Sequence, residues 1–114
     1  VGSVKIILAH MGGWKNWQEV AENLSDTSAM LDTAFSLGEI TPKDDYYSPD
    51  FLSLLKKQDF VRLVNIFGSE RVLFGTDSPW TDQEESLKKI KELPFSEADL
   101  ENIIYLNAKK LLGL

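Results

Sequence analysis

The sequence predicts an α/β fold in which parallel strands are joined by crossover helices. Three observations carry this expectation. Short β-rich apolar runs alternate with stretches of helical periodicity. The first run is nearly continuous rather than alternating, as in a strand covered on both faces. Helix-length segments, not two-residue turns, separate one run from the next. With 114 residues, 43% of them apolar and 26% charged, the chain can build one core, so residues 1–114 are read as a single α/β unit.

The first run, Val4 to Ala9, reads as a strand buried on both faces and ends at His10, after which Gly12-Gly13 turns the chain. Trp17, Val20, Ala21 and Leu24 recur at helical spacing and predict an amphipathic helix within Trp14 to Asn23. Ser28 to Phe35 is a second strand, with Asp32 near its end, although Ala, Met and Leu leave a helical reading open. Ser36 to Tyr47, with Gly38, Pro42 and Asp44-Asp45, has no period and reads either as a solvated loop or as a lid. Ser48-Pro49 is a helix start whose apolar face would be Phe51, Leu54 and Leu55. Phe60, Leu63, Val64 and Phe67 form a further stripe, closed by Gly68.

Arg71 to Gly75 is the third strand, and Thr76 to Trp80 a polar loop. Thr81 with Glu84 makes a capping-box pattern for a helix over about 82–91, which Pro94 stops. Ser96 opens another helix with Leu100, Ile103 and Ile104 inward, and Asn107 is read as the cap of a last short helix packed through Ala108, Leu111 and Leu112. Three such strand-helix units with helices on one side would leave the other sheet face wet. In a (β/α)8 barrel that face is buried by the remaining strands, so the chain reads as part of a larger barrel. Its start at Val1, almost directly in a strand, supports the expectation that sequence is missing upstream.

Composition narrows the partners. Eighteen acidic residues against twelve Lys and Arg give a net charge of −6, which argues against nucleic acid and against an anionic membrane. No apolar run is long enough to cross a bilayer and the first residues do not resemble a signal peptide, so a soluble, cytoplasmic protein is expected. Without cysteine there is no thiolate, and a metal would have to be held by oxygen ligands and the single histidine, His10.

In parallel α/β folds the loops at the carboxyl ends of the strands converge on the active site. His10 and Asp77 lie at two such ends and are the candidate catalytic and metal-binding residues, since imidazole and carboxylate from separate strands are natural ligands of a divalent cation. Each has a simpler reading, His10 as a hydrogen-bonded structural residue and Asp77 as a turn former beside Ser78-Pro79. Asp32 is the weaker candidate, more naturally a cap or a supporting hydrogen bond. Gly12-Gly13 can present amides to an anion or simply make a tight turn. Trp14 and Trp80 follow the two candidates and can wall a pocket for a small organic substrate, or serve as packing residues. No serine-nucleophile, phosphate-loop or dinucleotide signature is present.

Lys5-Ile6-Ile7-Leu8-Ala9-His10-Met11-Gly12-Gly13 resembles the sixth-strand motif of the amidohydrolase superfamily, in the amidohydrolase-2 branch related to aminocarboxymuconate-semialdehyde decarboxylase. Arg71 to Pro79 resembles the eighth-strand motif of that branch, and Asn107 to Leu114 its C-terminal helix. The resemblance implies the C-terminal part, about strands 6 to 8, of a (β/α)8 TIM barrel, and a metal-dependent hydrolase or decarboxylase acting through a metal-activated water, commonly with zinc. By position, Asp77 would bind the metal or accept a proton from its water, and His10 would orient or deprotonate that water or help bind the metal. The family's first-strand His-x-His pair and fifth-strand histidine are not in these residues, so this chain alone is expected to be inactive. The alternative expectation is a noncatalytic barrel-derived domain that self-associates, as a homo-oligomer, or binds a partner through exposed sheet edges.

Overall fold

Ile7–Leu8 (β1), Met30–Asp32 (β2) and Val72–Leu73 (β3) pair in that order as one parallel sheet in the computed structural model, which describes residues 4–38 and 53–114. The helix Trp17–Leu24 (α1) links β1 to β2, and Lys57–Phe67 (α2) precedes β3. Gln83–Lys91 (α3), Glu97–Glu101 (α4) and Asn107–Leu111 (α5) follow, with a π-helical turn at Asn102–Leu106 joining the last two. The parallel strand-helix order expected from periodicity is therefore present.

Register explains the layering. Leu8, Leu31 and Val72 are cross-strand neighbours in one row. Leu31 and Val72 join Val20 of α1, the α2 stripe Phe60, Leu63, Val64 and Phe67, Ile90 of α3 and Ile103 in one core, with Leu8 packed against it. Because strand side chains alternate between faces, Ile7, Met30 and Asp32 point the other way. This places Asp32 on the sheet face opposite the helices.

All three strands are shorter than their apolar runs. Val4 to Ala9 narrows to Ile7–Leu8, Ser28 to Phe35 to Met30–Asp32, and Arg71 to Gly75 to Val72–Leu73. Nor is β1 buried on both faces, since Val4 is 61% and Ile7 44% exposed. The reason is positional: among the described residues β1 pairs with β2 alone, so its apolar residues lie at a sheet edge.

α2 follows its stripe closely and ends where Gly68 takes φ +90° and returns its N–H to the Val64 carbonyl at 2.7 Å. Ser48-Pro49 and Phe51 lie outside the described residues. Leu54 and Leu55 do not continue a helix: they are extended, and Leu55 forms an isolated parallel bridge with Leu37. α3 is capped one residue later than the Thr81 pattern suggests, by the Asp82 carboxylate, which accepts from the Glu85 N–H at 2.8 Å. The Thr81 hydroxyl instead donates to the Thr76 carbonyl, tying off the preceding loop. Ser96 caps α4 as expected, accepting from the Asp99 N–H.

Asn107 is not a cap. Helical backbone is unbroken from Glu97 to Leu111, and Asn107 is buried, its amide donating to the carbonyls of Ser69 at 2.6 Å and Val72 at 2.8 Å. Neither Ala108 nor Leu112 packs inward, Leu112 being 70% exposed, because Asn107 occupies the inward position of that turn. The π turn has a partner of its own: the Ile103 carbonyl accepts from the Phe74 N–H at 2.9 Å. The C-terminal helix therefore holds the strand that leads to Asp77. Among the described residues no helix is long and apolar enough to cross a membrane.

Candidate active site

Each strand exits into a residue with left-handed backbone. His10 (φ 55°) and Met11 (φ 53°) follow β1, Phe35 (φ 54°) follows β2, and Asp77 (φ 56°) follows β3. Such conformations cost a side chain-bearing residue about 1–2 kcal/mol each, with Asp the best tolerated. They persist where surrounding contacts over-determine the backbone, which is common at functional sites. At β1 the contacts are visible: Met11 is fully buried, and Gly12 lies so close to α1 that a Cβ there would stand 2.7 Å from the Val20 methyls. Gly12 is thus required by a tight turn against a helix.

His10 is fixed by several contacts. Its Nδ1–H donates to the Ala34 carbonyl at 2.9 Å, and its own carbonyl accepts from the Trp17 indole N–H at 2.9 Å. Phe35 packs edge-on against the imidazole with ring centres 6.0 Å apart, and against Trp14 at 5.9 Å. With Nδ1 committed as the donor, Nε2 is the nitrogen of the neutral ring that can accept a proton or ligate a cation.

The exit of β2 is organised around Asp32. Its Oδ1 accepts from the Ala34 N–H at 2.6 Å, closing a turn over residues 32–34. The buried Ser36 hydroxyl lies 2.8 Å from the Thr33 carbonyl and 2.9 Å from the Ala34 carbonyl. Thr33 in turn extends the ladder to β3, its N–H reaching the Leu73 carbonyl at 2.9 Å and its Oγ1 accepting from the Gly75 N–H at 3.1 Å. A Cβ added at Gly75 would stand 3.0 Å from the Asp32 Cγ and nearer still to Oδ1.

Asp77 lies on an exposed turn two residues beyond Gly75, its carbonyl accepting from the Trp80 N–H at 2.9 Å. Trp80, 67% exposed, borders a cavity of about 240 Å³ shared with Phe35, Ser36, Phe74, Glu85 and Lys89. Trp14 is placed differently, against Phe35 and therefore on the His10 side. The structure brings His10, Trp14 and Phe35 together, and sets Asp32 on Ala34, the partner of His10, and close against Gly75. His10 and Asp77 follow the carboxyl ends of β1 and β3, the two outer strands of the sheet, which run two strand spacings or about 10 Å apart.

The donor chemistry suits a divalent cation, namely one imidazole nitrogen with its tautomer fixed and one accessible carboxylate. The number of donors does not complete a shell: among the described residues no group of three His, Asp or Glu side chains could hold a metal ion. Sequence reasoning did not single out Ala34, Phe35 or Ser36. Two of them act through backbone atoms or a small hydroxyl, and only the aromatic Phe35 offered a visible cue.

A profile of the amidohydrolase family matches residues 2–114. No curated protein matches the sequence significantly. Among solved structures, a dihydroxybenzoic acid decarboxylase from Polaromonas sp. JS666, with bound manganese and the inhibitor 2-nitroresorcinol, is similar at 20% identity and a TM-score of 0.62, over 96% of this chain and 34% of that one. A 2,6-dihydroxybenzoate decarboxylase from Rhizobium is similar at 18% identity and a TM-score of 0.61, over 96% and 34%. A candidate 2-pyrone-4,6-dicarboxylic acid hydrolase from Pseudomonas putida is similar at 19% identity and a TM-score of 0.62, over 97% and 44%. At such identities the likeness is one of fold. The chain spans about a third of the length of the two decarboxylase chains and under half of the hydrolase chain.

Proposed function

This chain belongs to the amidohydrolase family, and from that premise we propose that it forms the C-terminal strand-helix units, about strands 6 to 8, of a barrel enzyme that hydrolyses or decarboxylates a small organic substrate with a divalent cation. The observation that carries the reading is the His10 tautomer, since the Nδ1–H bond to Ala34 presents Nε2 as the acceptor. A bound divalent cation supplies Lewis acidity and lowers the pKa of coordinated water toward neutrality.

The chain's own residues then have separate tasks. His10 Nε2 takes a proton from water or serves as a nitrogen ligand, and the Phe35 edge keeps the ring in place. The Asp77 carboxylate binds the cation or accepts a proton. Trp80 and Phe35 offer flat apolar surface to an organic substrate beside the polar Ser36 and Lys89. Further ligands come from outside the described residues. Manganese in the Polaromonas decarboxylase supports the divalent class without selecting zinc. The net charge of −6 disfavours nucleic acid as a partner, and the reading places the protein in the cytoplasm.

Metal analysis and turnover of the intact protein test the proposal. Asp77→Ala should lower bound manganese or zinc below one per protein and abolish turnover of an aromatic or dicarboxylic acid substrate. Unchanged metal content would remove Asp77 from the site. A second reading, self-association of a noncatalytic domain, is favoured by the exposed edge of β1 at Val4, Ile6 and Ile7. A concentration-independent monomer in light scattering would argue against it.

A further inference from the structure

We propose that Asp32 is a positioning residue for the His10 imidazole, acting through Ala34; this rests on the reading of His10 as base or ligand. Asp32 and His10 are 22 positions apart in the sequence and share Ala34 as a common partner. The Ala34 N–H is held by the Asp32 carboxylate at 2.6 Å, and the Ala34 carbonyl receives the His10 Nδ1–H at 2.9 Å. The two groups flank the same Cα, so the Asp32 bond restricts the backbone rotations that aim the carbonyl. A carboxylate accepting from an amide makes a charge-assisted bond, stronger and shorter than a neutral one.

Ser36 makes a further contact with this carbonyl, its hydroxyl lying 2.9 Å from the same oxygen and 2.8 Å from that of Thr33. Gly75 reserves the space in which the carboxylate sits, because any Cβ there would collide with it. The arrangement selects the Nδ1–H tautomer, and with it the direction in which Nε2 is presented.

The test is nitrogen-15 NMR of the intact protein labelled at histidine, kept metal-free and at a pH where the imidazole is neutral, with the His10 signals identified by their loss in His10→Ala. The parent should show His10 mainly as the Nδ1–H tautomer. Asp32→Ala should shift the tautomer ratio toward Nε2–H by about three- to tenfold, the worth of one net hydrogen bond. Asp32→Asn, whose amide oxygen can still accept the Ala34 N–H without the charge, should shift it by about twofold. Met30→Leu, on the same strand and face, should leave the ratio unchanged. If Asp32→Ala loses its helical circular dichroism, Asp32→Asn is decisive alone. A ratio equal to the parent's in Asp32→Asn, or an equal shift in Met30→Leu, overturns the proposal. Failure of the enzymatic reading would show separately, as intact protein that binds no cation while the tautomer shift persists.

Discussion

The His10 imidazole and the Ala34 carbonyl are joined by a 2.9 Å hydrogen bond between the exits of two adjacent parallel strands. That bond decides which ring nitrogen carries the hydrogen and which is left to accept. His10→Gln keeps an amide able to reach Ala34 but replaces the aromatic nitrogen, whereas His10→Ala removes both. Each should weaken manganese or zinc binding to the intact protein by more than about tenfold, the minimum effect of disturbing a metal shell. Equilibrium dialysis reads this directly. Affinity equal to the parent's in both variants would leave His10 a structural residue.

Gly75→Ala should be among the costlier conservative changes in the molecule. Its new methyl group would meet Asp32 Cγ and Oδ2 at 3.0 Å, and the carboxylate has the Ala34 N–H to lose if it moves. Overpacking of this kind costs about 1–3 kcal/mol, visible as a lower urea midpoint at unchanged slope. Gly68→Ala separates sterics from backbone conformation. Among the described residues no atom beyond its chain neighbours lies within 4 Å of a Cβ there, yet φ is +90°, so its penalty comes from the backbone.

Much of this architecture is legible before any coordinates, and the residues show why the rest is not. The stripe Phe60, Leu63, Val64 and Phe67 is visible because burial on one helix face imposes its own period. His10 and Asp77 are visible because an ionisable residue after an apolar strand stands out. The exposure of Ile7 is not visible, because edge status depends on what lies beside a strand rather than on the strand itself. Thr81 and Asp82 both carry a capping oxygen, and the choice between them is made by the Thr76 carbonyl, which takes the Thr81 hydroxyl. Asn107 looks like a cap until Ser69 and Val72 present two carbonyls to it from another element. Tertiary partners, not local propensity, decide such cases.

Arg71 anchors the start of β3 to the end of α1. Its guanidinium donates to the carbonyls of Ser25 at 2.6 Å and Ala29 at 2.9 Å, and lies 4.6 Å from the centre of the Phe67 ring. A cation at a helix C-terminus also opposes the negative end of the macrodipole. Arg71→Met, which keeps the apolar stem, should cost about 1–3 kcal/mol. Burial lowers the guanidinium pKa and Asp26 partly restores it. The group nevertheless remains charged, folded or unfolded, between about pH 5 and 9, so its lowered pKa produces no stability change there. Urea midpoints of the parent and Arg71→Met should therefore stay a constant distance apart across that range, and a gap that closes with pH would point to a different ionisable partner.

The C-terminal helix reaches the candidate site through β3. Asn107 donates both amide hydrogens to carbonyls flanking the start of β3, at Ser69 and Val72, while Ile103 accepts from Phe74 at its far end. Asn107→Ala removes the side-chain donor to the Val72 carbonyl and leaves the Ser69 carbonyl with the Val72 N–H alone, and should destabilise the chain by about 1–3 kcal/mol, whereas Asn107→Asp sets a carboxylate against two carbonyl oxygens and should cost more. Because these bonds hold the strand that delivers Asp77, cation affinity should fall in Asn107→Ala even at temperatures where the protein stays folded by circular dichroism. If stability falls while affinity is unchanged, the helix supports the core alone, and the Gly75 to Asp77 turn keeps its geometry through Thr33 and the Thr76–Thr81 contact.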